Sequence, residues 1–144
     1  MKDYYILVVD QGTTSTRAFI FNKYFSIVAM ARRKIEPVYP HEGWVEQDPV
    51  EILRTVDDTV DEVIKESGIE KNRIVAMGLT NQRETTIAWR RSTGEPLYHA
   101  IVWQCRRTAQ RCAELREQVG EVIKCTTGLT VDPYFSATKM EWLL

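Results

Sequence analysis

The sequence predicts a mixed α/β domain in which a strand meander comes first and a strand-helix-strand crossover comes second. Three observations carry this. A continuous apolar run at Tyr5 to Val9 is succeeded by two more runs with almost no room between them. Asp48 to Glu51 has the signature of a helix start and leads into apolar residues at steps of three and four. A further apolar run, Ile74 to Leu79, comes directly after that helix.

Tyr5, Ile6, Leu7, Val8 and Val9 read as a strand buried on both faces, which stops at Asp10. After the polar turn Gln11 to Thr16, strands are expected over Arg17 to Phe21 and Ile27 to Ala31, parted only by the break at Asn22 and Lys23. No helix fits in connections this short, so the three strands form a meander. Pro37, Pro40 and Gly43 then mark an exposed loop.

Asp48 supplies an N-cap acceptor, Pro49 occupies the first helical position and Glu51 stands three residues after the cap. Leu53, Val56, Val60, Val63 and Ile64 form the expected core face, and Gly68 stands where the helix should end. Ile74 to Leu79 reads as another buried strand, and Thr86 to Trp89 with the turn at Ser92 to Gly94 suggests a hairpin running towards Tyr98. A second amphipathic helix fits Gln104 to Val119, with Cys105, Ala109, Cys112, Leu115 and Val119 inward. Arg106, Arg107, Arg111 and Arg116 then form a solvated or interface face, offset by Glu114 and Glu117. Gly120 and Gly128 punctuate the stretch after this helix, and Ser136 can cap a last helix through Met140 to Leu144. The chain stops on Trp142, Leu143 and Leu144 without a polar tail, so the 144 residues are expected to be the front of a longer polypeptide.

Composition excludes several functions. Of the 144 residues 44% are hydrophobic, and 19 Lys plus Arg against 20 Asp plus Glu leave a net charge of -1. That removes the phosphate attraction on which nucleic-acid binding mostly rests. The longest hydrophobic run, six residues from Tyr4 to Val9, is far short of the roughly 20 that a membrane helix needs. Met1, Lys2 and Asp3 do not open a signal peptide, so the protein is expected in the cytoplasm. Cys105, Cys112 and Cys125 match neither a metal knuckle nor a disulfide framework and read as reduced thiols packed as small hydrophobes. His41 and His99 have no clustered carboxylate or cysteine that would make a metal or Ser-His-Asp site.

Four segments can carry chemistry. In the first, Asp10 to Arg17, a strand ends in a carboxylate, a glycine turn rich in hydroxyls comes next, and an arginine stands on the next strand. Gly12 permits close backbone approach to an anion, Thr13, Thr14 and Ser15 can donate to phosphate oxygens, and Arg17 can neutralise them. Asp10 could hold Mg²⁺ through its water shell. The segment is neither a Walker A loop nor G-x-G-x-x-G, and a plain Gly/Thr β-turn accounts for it equally. The second is Asn81 to Thr86, either a surface loop or a polyol site. Arg83 offers donors and Glu84 offers acceptors, as a hydroxyl that does both requires. Trp103 and Tyr134 are either core aromatics or walls for a substrate's carbon backbone.

In their order and spacing, the segments DQGTTSTR (Asp10 to Arg17), GWVEQDP (Gly43 to Pro49), GLTNQRETT (Gly78 to Thr86), IVWQCRRT (Ile101 to Thr108) and TGLTVDPYFSATK (Thr127 to Lys139) are distinctive. Together they resemble the FGGY carbohydrate kinase family, and within it the members that phosphorylate glycerol. The resemblance runs along essentially all 144 residues. It implies an actin-like ATPase fold, two ribonuclease H-like α/β domains with the active site in the cleft between them. Residues 1–144 would be the N-terminal part of domain I, with the second domain absent.

The resemblance also implies roles. Thr13, Thr14, Ser15 and Arg17 would contact ATP phosphates. Asp10 would lie by Mg²⁺ and the transferred phosphoryl group, and with Arg83 it is a catalytic candidate. Arg83, Glu84 and Tyr134 would hydrogen-bond glycerol, with Trp103 against its carbons. The general base would be an aspartate beyond residue 144, so these residues alone are expected to lack kinase activity. The whole enzyme is expected to be a homo-oligomer that turns glycerol and ATP into sn-glycerol 3-phosphate and ADP. A kinase for another polyol or sugar, or a non-catalytic nucleotide-binding fragment, are the alternatives.

Overall fold

The computed structural model describes residues 3–144, and the expectation about Met1 and Lys2 at the start of the chain lies outside the described residues. The chain divides into two compact units, residues 3–36 with 50–82 and residues 37–49 with 83–144.

The first unit is a four-stranded sheet in the order β3-β2-β1-β5, formed by β1 (Tyr5–Gln11), β2 (Ser15–Asn22), β3 (Ile27–Lys34) and β5 (Ile74–Thr80), with helix α1 (Pro49–Ser67) in the crossover. The first three strands are the expected antiparallel meander, and β5 returns parallel to β1 after α1. Strand ends were the least legible feature. β1 runs through Asp10 to Gln11, and its burial alternates instead of closing both faces. Leu7 and Val9 are buried with Ala18, Ile20, Ala31 and Val63, while Ile6, Val8 and Asp10 on the other face are half-buried.

α1 begins and ends where its signals stand: Pro49 is its first residue, and Gly68 beyond its last turn takes φ 64°. Its buried face, however, is Ile52, Thr55, Thr59 and Val63, whereas Leu53, expected in the core, is 62% exposed. Val56, Val60 and Ile64 pack at the edge of that core as expected. Threonines can be buried here because their hydroxyls bond back to the helix: Thr55 Oγ1 to the Ile52 carbonyl at 2.7 Å and Thr59 Oγ1 to the Thr55 carbonyl at 2.8 Å. The Thr55 hydroxyl also meets that of Thr16 on β2 at 2.8 Å. β5 departs further from expectation. Among the described residues it is a sheet edge, paired with β1 alone, and Val75, Met77 and Leu79 are 64–66% exposed. The core cluster takes only Ile74 from it.

The second unit holds the short antiparallel pair β4 (Glu46–Gln47) and β6 (Ala100–Ile101), then α2 (Ala109–Thr127) and α3 (Ser136–Leu143). The expected hairpin is reduced to isolated bridges, Thr86 to Ile101 and Trp89 to Pro96. α2 starts five residues later than its apolar period suggests, because backbone bonds turn the preceding segment: Cys105 N–H to the Val102 carbonyl and Arg106 N–H to the Gly43 carbonyl. It continues past Gly120 and stops at Gly128, which adopts φ 74° and donates its N–H to the Lys124 carbonyl. Of the expected inward stripe, Cys112 is the buried residue of α2; Cys105 is buried ahead of the helix and Val119 is 39% exposed. Cys105, Cys112 and Cys125 are free thiols, and Cys125 is exposed instead of packed. Among the described residues no helix is long and apolar enough to cross a membrane.

Candidate functional site

In the first unit, β1 ends on Gln11 and β2 opens on Ser15, which leaves Gly12, Thr13 and Thr14 to make the connection. One backbone bond closes it, Gly12 N–H to the Ser15 carbonyl at 3.0 Å. A Cβ at position 12 would lie 3.1 Å from that same carbonyl, so the turn is built on the missing side chain. The Gly12 amide is spent inside the turn. Thr13 is half-buried and Thr14 exposed, whereas Ser15 is only 6% exposed and its carbonyl anchors the turn.

Antiparallel register sets Asp10 opposite Arg17, and the two side chains form an ion pair while both remain partly exposed. Two buried glutamines brace this end of the sheet: Gln82 Nε2 donates to Gln11 Oε1 at 3.3 Å, and Gln11 Nε2 donates to the Gly12 carbonyl at 3.0 Å. Among the described residues no group of three or more His, Cys, Asp or Glu side chains could hold a metal ion.

In the second unit the other four candidates come from three segments. Arg83 is exposed and, among the described residues, its guanidinium has no hydrogen bond or ion pair. Glu84 sits at φ 65°, a left-handed conformation uncommon for a residue with a side chain. Its Oε2 accepts from the Ser136 N–H at 2.9 Å and from Ser136 Oγ at 2.8 Å. Ser136 is therefore the first residue of α3 and a clasp for Glu84, with Phe135 in the cap position that the sequence assigns to Ser136. Trp103 and Tyr134 meet edge to face, centroids 5.9 Å apart. An Asx turn, Tyr134 N–H to Asp132 Oδ1 at 2.8 Å, fixes the backbone that carries the tyrosine.

Two buried charges were not legible as such. Lys139 is fully buried, its Nζ donating to the Glu84 carbonyl at 2.6 Å and the Tyr134 carbonyl at 2.8 Å. Burial holds its pKa below the usual lysine range, although Glu84 nearby works the other way.

Arg107, expected on an exposed helix face, precedes α2 and has no exposed side-chain surface. Its Nη2 donates to Glu46 Oε1 at 2.5 Å, and its guanidinium lies 3.9 Å from the Trp44 ring centroid and 4.6 Å from that of Trp142. Burial alone would raise the Glu46 pKa. Hydrogen bonds from Arg107, Tyr98 and His99 outweigh it and hold the carboxyl below its ordinary value. The other arginines behave more nearly as expected: Arg106 pairs with Asp132, Arg111 with Glu114 and Glu141, and Arg116 donates to the Val131 carbonyl.

Known proteins are similar to this chain along nearly all of its length. The glycerol kinase of Fusobacterium nucleatum is 51% identical over 142 residues, which are 97% of this chain and 29% of that protein. The crystal structure of Plasmodium falciparum glycerol kinase with ADP is 36% identical with a TM-score of 0.89 over 97% of this chain and 28% of that one. The gluconate kinase of Lactobacillus acidophilus, at 22% identity, shares the fold with a TM-score of 0.88 over 99% of this chain and 28% of that one. The chain thus spans under a third of the length of each. Its mixed α/β architecture is that of the actin-like sugar kinases. Residues 5–144 match the FGGY family of carbohydrate kinases, N-terminal domain, and the chain belongs to that family.

Proposed function

We propose that these residues are the N-terminal part of a glycerol kinase, an enzyme that transfers the γ-phosphoryl group of ATP to glycerol and yields sn-glycerol 3-phosphate. The observation that carries the substrate is the set Arg83, Glu84, Trp103 and Tyr134. A guanidinium with no partner among the described residues, a carboxylate clasped in place and an edge-to-face aromatic pair suit a small polyol, whose hydroxyls donate and accept while its carbons need an apolar wall. About 50% identity to a protein named glycerol kinase over nearly the whole chain supports the same reading.

The turn at residues 10–17 suits ATP phosphates and a magnesium ion. The donor set fits: a partly exposed carboxylate at Asp10, the hydroxyls of a half-buried Thr13 and an exposed Thr14, the Arg17 guanidinium paired with Asp10, and a glycine whose Cβ would crowd the turn. Asp10 would hold Mg²⁺ through water, since the ion keeps most of its hydration and takes one or two carboxylates. When bound, the ion offsets phosphate charge as transfer proceeds. Arg17 and the hydroxyls of Thr13 and Thr14 bind and orient the phosphates, and Ser15 keeps the turn in shape through its carbonyl. Arg83 and Glu84 orient the polyol so that one hydroxyl is presented for transfer. An aspartate outside these residues takes the proton from that hydroxyl. This chemistry belongs in the cytoplasm, where ATP is supplied.

The test is Arg83→Ala in the full-length enzyme. Losing one or two hydrogen bonds to a charged donor should cut kcat/KM for glycerol by about 10²-fold, with the KM for ATP within about twofold. Unchanged glycerol turnover would remove Arg83 from the site and this reading with it.

A further inference from the structure

A lysine is almost never fully buried unless it is paired, yet Lys139 is fully buried and, among the described residues, pairs with no carboxylate. Its two hydrogen bonds go to main-chain carbonyls, those of Glu84 and Tyr134. Burial works against its charge, so the ammonium is kept at a cost. A methionine would fill the same space without it.

What the ammonium holds is informative. Glu84 has the left-handed backbone, with φ 65°, that a residue with a Cβ keeps only when its surroundings impose it. Lys139 grips the main chain of Glu84, and Ser136, three residues earlier on the same face of α3, grips its carboxylate. The carboxylate thereby accepts a free N–H at the start of α3, where the helix dipole favours negative charge. Through its second bond the same ammonium fixes Tyr134, whose ring packs against Trp103.

We propose that Lys139 is a positioning residue for polyol binding: by tying the Glu84 and Tyr134 carbonyls to one buried ammonium, it sets the spacing between the carboxylate and the aromatic wall. Lys139 touches no substrate itself. The proposal rests on the polyol reading of Glu84 and Tyr134, and its structural half can be read without any substrate.

The experiment uses the full-length kinase as wild type, Lys139→Met and Ser136→Ala, with two readouts. Hydrogen exchange is the first. In Lys139→Met, amides in the 83–86 segment should lose about tenfold or more of their protection while those within α2 are unchanged. Loss of protection throughout the second unit, or none at 83–86, overturns the positioning role whatever the substrate is. Steady-state kinetics is the second. The KM for glycerol should rise by about 10- to 100-fold in Lys139→Met and by about 3- to 10-fold in Ser136→Ala, with the KM for ATP within about twofold in both. A fall in kcat with both KM values unchanged would also overturn the proposal, as would a Ser136→Ala enzyme with unchanged glycerol KM if Lys139→Met fails to fold. If wild-type enzyme phosphorylates a different polyol instead, the glycerol reading fails, and the same KM comparison on that polyol decides the role of Lys139.

Discussion

The ion pair between Glu46 and Arg107 makes a quantitative prediction. Glu46 is 3% exposed and Arg107 has no exposed side-chain surface. Glu46 Oε1 accepts from Arg107 at 2.5 Å and from the Tyr98 hydroxyl at 2.9 Å, and its Oε2 lies 2.9 Å from His99 Nδ1. Arg107 Nη1 is already buried without a partner among the described residues. Glu46→Ala would therefore leave a buried cation held by ring faces and the Cys105 thiol, with no carboxylate. Breaking one side of a buried pair costs about 3–5 kcal/mol, against about 0–1 kcal/mol for an exposed pair. Replacing both residues by leucine removes the stranded charge, so the double variant should lose less than the sum of the singles. Chemical denaturation followed by tryptophan emission is the assay, since Trp44 and Trp142 flank the guanidinium. A loss below about 1 kcal/mol for Glu46→Ala, or strict additivity in the double variant, would show that Glu46 and Arg107 do not act as a coupled buried pair.

Further predictions concern pH, the turn and the core. Glu46 has a folded pKa below its ordinary 4.5, so its contribution to stability is complete above that value and disappears as pH falls through the lower folded value; acid titration of stability should show this step, and Glu46→Gln should abolish it. Gly12→Ala puts a Cβ 3.1 Å from the Ser15 carbonyl, which should open the turn and raise the KM for ATP by about tenfold with little change for glycerol, measured by steady-state kinetics. Thr55→Val leaves the buried Thr16 hydroxyl without its 2.8 Å partner and should cost about 1–3 kcal/mol in a denaturation experiment.

The meander and α1 were legible because their signals are local. Short breaks between apolar runs leave space only for hairpins, and Pro49 and Gly68 stand at the ends of α1. What failed depended on the rest of the chain. The apolar letters of Ile74 to Leu79 are those of a buried strand, but nothing local tells an edge from a centre. Leu53 fits the period of α1 and is nonetheless exposed, because Thr55 and Thr59 can be buried once their hydroxyls bond back to the helix. The period that drew α2 back to Gln104 was outweighed by a backbone bond from Arg106 to Gly43.

The site was read unevenly for the same reason. Asp10 and Arg17 are close in sequence and opposed by register, so their pairing comes from the hairpin. Arg107 meets Glu46 across 61 positions, and Lys139 meets Glu84 across 55. Only the folded chain shows that these cations are buried. Their signal was present all the same, because Glu46 lies in the GWVEQDP segment and Lys139 closes TGLTVDPYFSATK, two of the segments that carry the family resemblance.

A substrate panel on the full-length protein separates glycerol from other substrates: ATP-dependent phosphorylation of glycerol is measured beside gluconate, for which the Lactobacillus acidophilus kinase is named, and other polyols and sugars. Glycerol should have the highest kcat/KM by at least about 10²-fold, since a site built to satisfy particular hydroxyls rejects substrates that leave them unpaired. A sugar or sugar acid turned over as well as glycerol, with glycerol unchanged by Arg83→Ala, would contradict the glycerol reading.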